Sequence, residues 1–264
     1  MKALTVRMLT YIVAIYLSLA FLIYIMQDSY IFFPVRADYG DLSNFKNVEE
    51  YRLEDGKVEL RGWLVNKEYA GDKLLIYYGG NAEDVYGNIM EHYDKKGYAI
   101  LLVNYRGYGL SGGKSSEKSL FADAGLIYDD ITSKYKPEKV ILYGRSLGSG
   151  VAAYLSSVRK VTGMILVSPY DSMINMARER FRIFPVSIML RHRFDSVKYL
   201  KNYRGPLCII YGGSDNIVPG RRTKALIEHI RGPKEVVLIE GAGHNDIAGF
   251  ELYERTVQKF IGKI

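Results

Sequence analysis

Three residues of this chain have the side chains and surroundings that nucleophilic catalysis requires: Ser146, His244 and Asp215. Ser146 is the centre of Gly144-Arg145-Ser146-Leu147-Gly148, which follows the apolar run at 140–143 and precedes the small-residue stretch Gly150-Val151-Ala152-Ala153. A serine at such a strand-to-helix turn is held in a strained backbone conformation that lifts its hydroxyl above the sheet and leaves no room for side chains at 144 and 148. The helix that follows offers free N–H groups and a positive dipole end to a developing oxyanion. The plainer alternative is a Gly-rich turn with a helix-capping serine.

A serine hydroxyl needs a base beside it to become a nucleophile. His244 lies in the Gly-rich loop Gly241-Ala242-Gly243-His244-Asn245-Asp246, directly after the last apolar run, where it can reach back over a sheet edge. His92 and His229 fall within expected helices and His192 within an irregular stretch, so all three are expected to serve packing or the surface. The base in turn needs a carboxylate to fix its tautomer. Asp215, in Gly212-Gly213-Ser214-Asp215-Asn216-Ile217-Val218-Pro219, is placed for this, because loops at strand C-termini carry the site in open parallel sheets. Asp246 and Asp195 are alternative acids, and Asp215 also suits a turn-capping role. An oxyanion hole needs two N–H donors; those of Asn81, in Tyr78-Gly79-Gly80-Asn81-Ala82, and of Leu147 are expected to supply them.

Positioning these residues requires a sheet. Short apolar runs predict strands at 48–53, 58–65, 74–78, 98–104, 139–143, 163–167, 207–211 and 235–239, and amphipathic stretches between or after them predict helices at 84–95, 116–134, 146–157, 220–229 and 250–261. The expected fold class is α/β: an eight-stranded, mostly parallel sheet with helices on both faces. Glu54-Asp55-Gly56 reads as a hairpin turn, so the sheet is expected to begin antiparallel and become parallel. Residues 168–200 break the alternation, are rich in Met, Phe, Ile and Arg, and read as a short cap-like insertion. Their arginines alternate with apolar side chains, which suits a membrane surface or the mouth of an acyl pocket as well as an ordinary amphipathic lid.

From Met8 to Met26 the chain has 19 residues of which only Thr10 and Ser18 are clearly polar. As a helix this is about 28 Å long, close to the hydrocarbon thickness of a bilayer. A cleaved signal peptide is the rival, but Gln27-Asp28-Ser29-Tyr30 offers no small-residue cleavage site. Lys2 and Arg7 precede the run and the next basic residue is Arg36, which predicts a cytoplasmic N-terminus and a catalytic domain on the non-cytoplasmic side. The expected division is 1–27, N-terminus and transmembrane anchor, and 28–264, catalytic domain.

Composition excludes several classes. The net charge of +7 comes with no Lys/Arg-rich run, so nucleic acid is not an expected partner. The single cysteine, Cys208, forbids an internal disulfide and a thiolate zinc site, and the four histidines show no metal-ligand spacing. Gly107-Tyr108-Gly109-Leu110-Ser111-Gly112 satisfies GxGxxG, but Gly113-Lys114-Ser115 prolongs a loop where a dinucleotide fingerprint would open a helix, and Tyr108 replaces the first glycine of a phosphate-binding loop. No metal or organic cofactor is expected.

The order Ser146, Asp215, His244 is that of the α/β-hydrolases. The chain after the anchor resembles that superfamily, and is similar to its small membrane-anchored serine hydrolases in five segments: Gly79-Gly80-Asn81, the loop 105–113 (YRGYGLSGG), Gly144 to Gly148, Gly212 to Pro219 and Gly243-His244-Asn245. Gly79 stands where relatives carry a loop-supporting histidine, a departure that bears on the rigidity of the oxyanion loop and not on the Ser–His–Asp set. The resemblance implies acyl transfer to water, on a small-molecule, lipid-like or protein-borne ester or thioester. A peptidase of the same fold and a catalytically silent, membrane-tethered binding protein are the alternatives.

Overall fold

The computed structural model describes residues 2–36, 39, 42, 45–93 and 95–264. Eight strands form one sheet: β1 (Val48–Asp55), β2 (Val58–Val65), β3 (Lys73–Tyr78), β4 (Ala99–Val103), β5 (Lys139–Arg145), β6 (Gly163–Val167), β7 (Leu207–Gly212) and β8 (Lys234–Ile239). Their order is β1-β2-β4-β3-β5-β6-β7-β8. β2 pairs antiparallel with β1 and with β4, and every other pairing is parallel. The β1–β2 hairpin closes between Asp55 and Val58 with Gly56 at φ 63°, a left-handed conformation that glycine adopts without strain.

The central strands are apolar on both faces, as a sheet covered by helices on both sides demands. Along β3, Leu74, Ile76 and Tyr78 point into one core and Leu75 and Tyr77 into the other. The first core is covered by α3 (Glu117–Tyr135), α4 (Leu147–Val158), α7 (Ser196–Leu200) and α8 (Gly220–His229); the second by α2 (Ile89–His92) and α9 (Glu251–Lys263). Ser116 caps α3, accepting a hydrogen bond from the Ser119 N–H while the Ser119 hydroxyl accepts from the Ser116 N–H.

The helix expected at 84–95 is instead a 3₁₀ turn, Val85–Asn88, followed by the four-residue α2. Asp84 accepts from the Tyr86 N–H and so holds the tight turn, and Gly87 and Asn88 are poor continuations of a helix. Asp94, within the expected range, lies outside the described residues. The irregular stretch after β6 forms α5 (Met173–Arg180), α6 (Val186–Met189) and α7. Only its first part stands over the sheet edge. α7 belongs to the core: Tyr199 meets Phe121 of α3 and Tyr154 of α4 edge-on.

α1 (Lys2–Ile31) is a single 30-residue helix, longer than the apolar run it contains. No residue from Met8 to Met26 is fully buried, and its length and composition are those of a helix able to cross a membrane. Polar Gln27 is buried at the helix's end, where the cap meets it.

Candidate active site

The C-terminal ends of β3, β5, β7 and β8 bring the five expected site residues to one edge of the sheet. At the end of β5, Ser146 has φ 51° and ψ −116°, outside the regions open to an ordinary residue, at a strain of about 1–3 kcal/mol. Packing enforces it. A Cβ on Gly148 would lie 1.9 Å from the Tyr78 carbonyl oxygen, and one on Gly144 would lie 2.5 Å from that of Gly148. The Ser146 N–H is tied to the Val167 carbonyl at 2.9 Å, and α4 begins at Leu147.

His244 Nε2 lies 2.9 Å from Ser146 Oγ, and its Nδ1 lies 2.7 Å from Asp215 Oδ2. All three side chains are buried. Burial alone would raise the Asp215 pKa, but His244, the Val218 N–H and the Ser168 hydroxyl outweigh it and hold the carboxyl below its usual value. An ionised Asp215 accepts the Nδ1–H of His244, which leaves Nε2 free to accept the serine proton. The acid loop and the histidine loop are fastened to each other: Ser214 N–H donates to the Ala242 carbonyl at 2.9 Å, and a Cβ on Gly212 would lie 2.3 Å from that same oxygen.

The alternative acids are engaged elsewhere. Asp246 Oδ1 accepts the Gly243 N–H at 2.7 Å and shapes the histidine loop, whereas Asp195 caps α7 through the Lys198 N–H. Of the other histidines, His92 is buried against Tyr98, His192 bridges the Glu117 N–H and Asp28, and His229 is exposed on α8.

Asn81, Leu147 and Ser146 line one small cavity of about 160 Å³. Neither the Asn81 N–H nor the Leu147 N–H has an acceptor among the described residues. The loop bearing Asn81 carries no histidine at 79, and three other residues grip it. Tyr105 Oη donates to the Gly79 carbonyl at 2.8 Å, Tyr108 Oη donates to the Asn81 carbonyl at 2.7 Å, and Glu83 Oε2 accepts the Gly80 N–H at 2.7 Å. Burial pushes the Tyr105 phenol well above its usual pKa, so it stays a donor.

Sequence reasoning did not single out Glu83, Arg145, Ser168, Tyr105 or Tyr108 as site residues. The tyrosines belong to the loop at 105–113, whose role as a brace for the loop at 79–81 appears only when β4 is seen beside β3. Ser168, at φ 46°, donates to Asp215 Oδ2 at 2.9 Å and follows β6 as Ser146 follows β5. A serine ending a buried strand was its one visible signal.

This arrangement has counterparts. Residues 79–189 match the serine aminopeptidase family S33. An uncharacterized protein of Mycobacterium tuberculosis is 30% identical over 198 residues, covering 73% of this chain and 70% of its own. Alpha/beta hydrolase domain-containing protein 17C of Xenopus laevis is 32% identical over 221 residues, covering 81% of this chain and 70% of its own. Among solved structures, the Pyrococcus furiosus esterase superposes with a TM-score of 0.69 at 20% identity, over 88% of this chain and 97% of that one. With the sheet order, the strand-end site and these relatives agreeing, the chain belongs to the α/β-hydrolase superfamily and is a hydrolase.

Proposed function

We propose that the protein is a membrane-anchored serine hydrolase that cleaves carboxylic esters or thioesters of acyl or lipid type. The observation that carries this reading is the continuous path from Asp215 Oδ2 through His244 to Ser146 Oγ, in two contacts of 2.7 and 2.9 Å, at the floor of an apolar cavity. Ser146 Oγ attacks the acyl carbonyl while His244 Nε2 takes its proton, and the carbonyl oxygen becomes an oxyanion received by the Asn81 and Leu147 N–H groups. Collapse of the tetrahedral adduct breaks the bond to the alcohol or thiol, which leaves with the proton from His244, and the acyl group remains on Ser146. Water then attacks the acyl-enzyme, giving its proton to His244, and the acid departs as that proton returns to Ser146. No step draws on a metal or organic cofactor.

Amide hydrolysis would use the same residues, and the matched family bears a peptidase's name. The cavities beside Ser146 favour acyl substrates: among the described residues that line them is Arg180 but no carboxylate to receive a peptide's α-ammonium group. The apolar run of α1 supports an anchor, and Lys2 and Arg7 before it support a cytoplasmic N-terminus with residues 28–264 on the opposite side.

A fluorophosphonate probe is expected to label the full-length protein, and Ser146→Ala is expected to abolish labelling while leaving the melting temperature unchanged. Folded protein that takes no label would point to a binding protein. Faster turnover of aminoacyl anilides than of p-nitrophenyl esters would replace the esterase reading with a peptidase.

A further inference from the structure

α1 is packed against the cap along one helical stripe. Tyr16, Ala20, Ile23, Gln27 and Ile31, which with Asp28 are its less exposed residues, follow one another at spacings of three and four that fall on one face. Tyr16 Oη donates to the Ile183 carbonyl at 2.9 Å, and its ring stacks on Phe184 at 5.3 Å. Gln27 accepts the Arg191 N–H at 2.7 Å, and Asp28 pairs with Arg191 and His192 at 2.7 and 2.9 Å. The opposite face, with Phe21, Leu22 and Ile25, is open and, apart from Ser18 and Ser29, apolar.

Between α1 and the cap lies an apolar cavity of about 550 Å³. Ile23 and Tyr30 of α1 form one wall, and Met176, Ala177 and Phe184 of the cap form the other. Tyr30, Ile31, Asn81, Met173, Met176 and Ile217 line both this cavity and the smaller one that holds Ser146, so the two adjoin.

Depth follows from the contact at Tyr16, which is ten residues before Met26 and therefore about 15 Å along the helix axis. A bilayer that covered Phe21 and Leu22 on the open face of α1 would also surround the cap tip, whose Ile183 and Ile188 are 73% and 84% exposed.

We propose that α1 is one wall of the substrate channel as well as a tether, and that the channel opens sideways into the bilayer between α1 and the cap tip. This rests on the acyl-hydrolase reading and narrows it: the substrate is an ester or thioester whose long acyl chain enters from the lipid and reaches Ser146 without crossing water. α1 then acts as a specificity element.

Two variants that fill the channel from opposite walls, Ile23→Trp and Ala177→Trp, test it in full-length protein in detergent micelles. The ratio of p-nitrophenyl palmitate to p-nitrophenyl acetate turnover is expected to fall at least tenfold in both; a ratio unchanged in either folded variant overturns the channel. Wild-type protein that turns over neither ester and takes no fluorophosphonate would sink the hydrolase reading itself. The seat in the membrane is tested independently of activity by Ile183→Trp in nanodiscs containing dibrominated phospholipid, with the single native tryptophan, buried Trp63, as background. Strong bromine quenching of the added fluorescence is expected, whereas quenching by aqueous iodide alone would place the cap tip in water and overturn the sideways opening.

Discussion

Arg145 Nη1 lies 2.9 Å from Glu83 Oε2, and Nη2 of the same guanidinium donates to the main-chain carbonyl of His244 at 3.0 Å. Arg145 precedes Ser146 at the end of β5, Glu83 closes the loop that carries Asn81, and His244 belongs to the loop after β8. One planar cation thus ties together the three loops that carry Asn81, Ser146 and His244. Burial opposes ionisation of Glu83, but Arg145, the Gly80 N–H, Tyr77 and Asn88 together hold its pKa below the usual value, so it remains the anion that Arg145 needs.

Glu83 and Arg145 are therefore expected to act as positioning residues. Glu83→Gln and Arg145→Met are each expected to lower kcat about tenfold with little change in KM, because a shift well under 1 Å in the donors is felt mainly in the transition state. The double variant is expected to be no worse than the more damaging single one, a coupling on the order of 1 kcal/mol or more. A double-mutant cycle in kcat checks this; additive losses would show that the pair does not work as a unit.

Asp215 and Asp246 differ in what they hold. Asp215 Oδ2 meets His244 Nδ1, whereas Asp246 Oδ1 meets a backbone N–H one residue before the histidine. Asp215→Asn is expected to lower kcat by on the order of 10⁴, since an amide in that place stabilises the wrong imidazole tautomer. Asp246→Asn keeps an acceptor for the Gly243 N–H and is expected to cost roughly tenfold at most. Steady-state rates on one short-chain ester decide between them, and a larger loss at 246 would reassign the acid.

The strands and the strand-end loops were legible because their signals are local. Buried parallel strands are short apolar runs, and Gly144, Gly148 and Gly212 mark places where two backbones come too close for a Cβ. Partnerships across the fold left no such mark: Arg145 is 99 residues from His244, and nothing near either names the other. The helix expected at 84–95 failed because amphipathic spacing outlasts the helix when Asp84, Gly87 and Asn88 favour a turn. The stripe on α1 was hidden for a simpler reason. Ala20 and Ile23 look the same whether they face lipid or a cap.

His92 gives the protein an acid-sensitive core. It is buried against Tyr98, and burial, with Lys95 nearby, lowers its pKa from 6.5 to about 4. In the unfolded chain the imidazole protonates below about 6.5, so between there and pH 4 the unfolded state binds the extra proton and stability falls as pH falls. The contribution is fully present above pH 6.5 and is worth on the order of 3 kcal/mol. His92→Gln removes the titration, so its urea midpoint is expected to vary less than wild type's across that window; parallel pH profiles would assign the acid loss elsewhere.

Gly148 is the tightest point of the elbow, where an added Cβ would lie 1.9 Å from the Tyr78 carbonyl oxygen. That oxygen is at the end of β3, in the middle of the sheet, and cannot withdraw without dragging the loop that starts at Gly79 and carries Asn81. Gly148→Ala is expected to destabilise the protein by about 3 kcal/mol or more, at the upper end of overpacking penalties. For a domain of this size that is a fall in melting temperature of roughly 6–12 °C. Gly150→Ala, two residues further along α4 and on its other side, would place its Cβ 2.6 Å from Tyr170 Oη and 3.2 Å from a ring carbon of Phe194. Side chains can yield where a carbonyl cannot, so this variant is expected to lose less stability and to keep fluorophosphonate labelling. Melting curves and labelling rates of the two variants side by side make the comparison, and equal losses would mean that backbone contact at Gly148 is not what holds the serine in place.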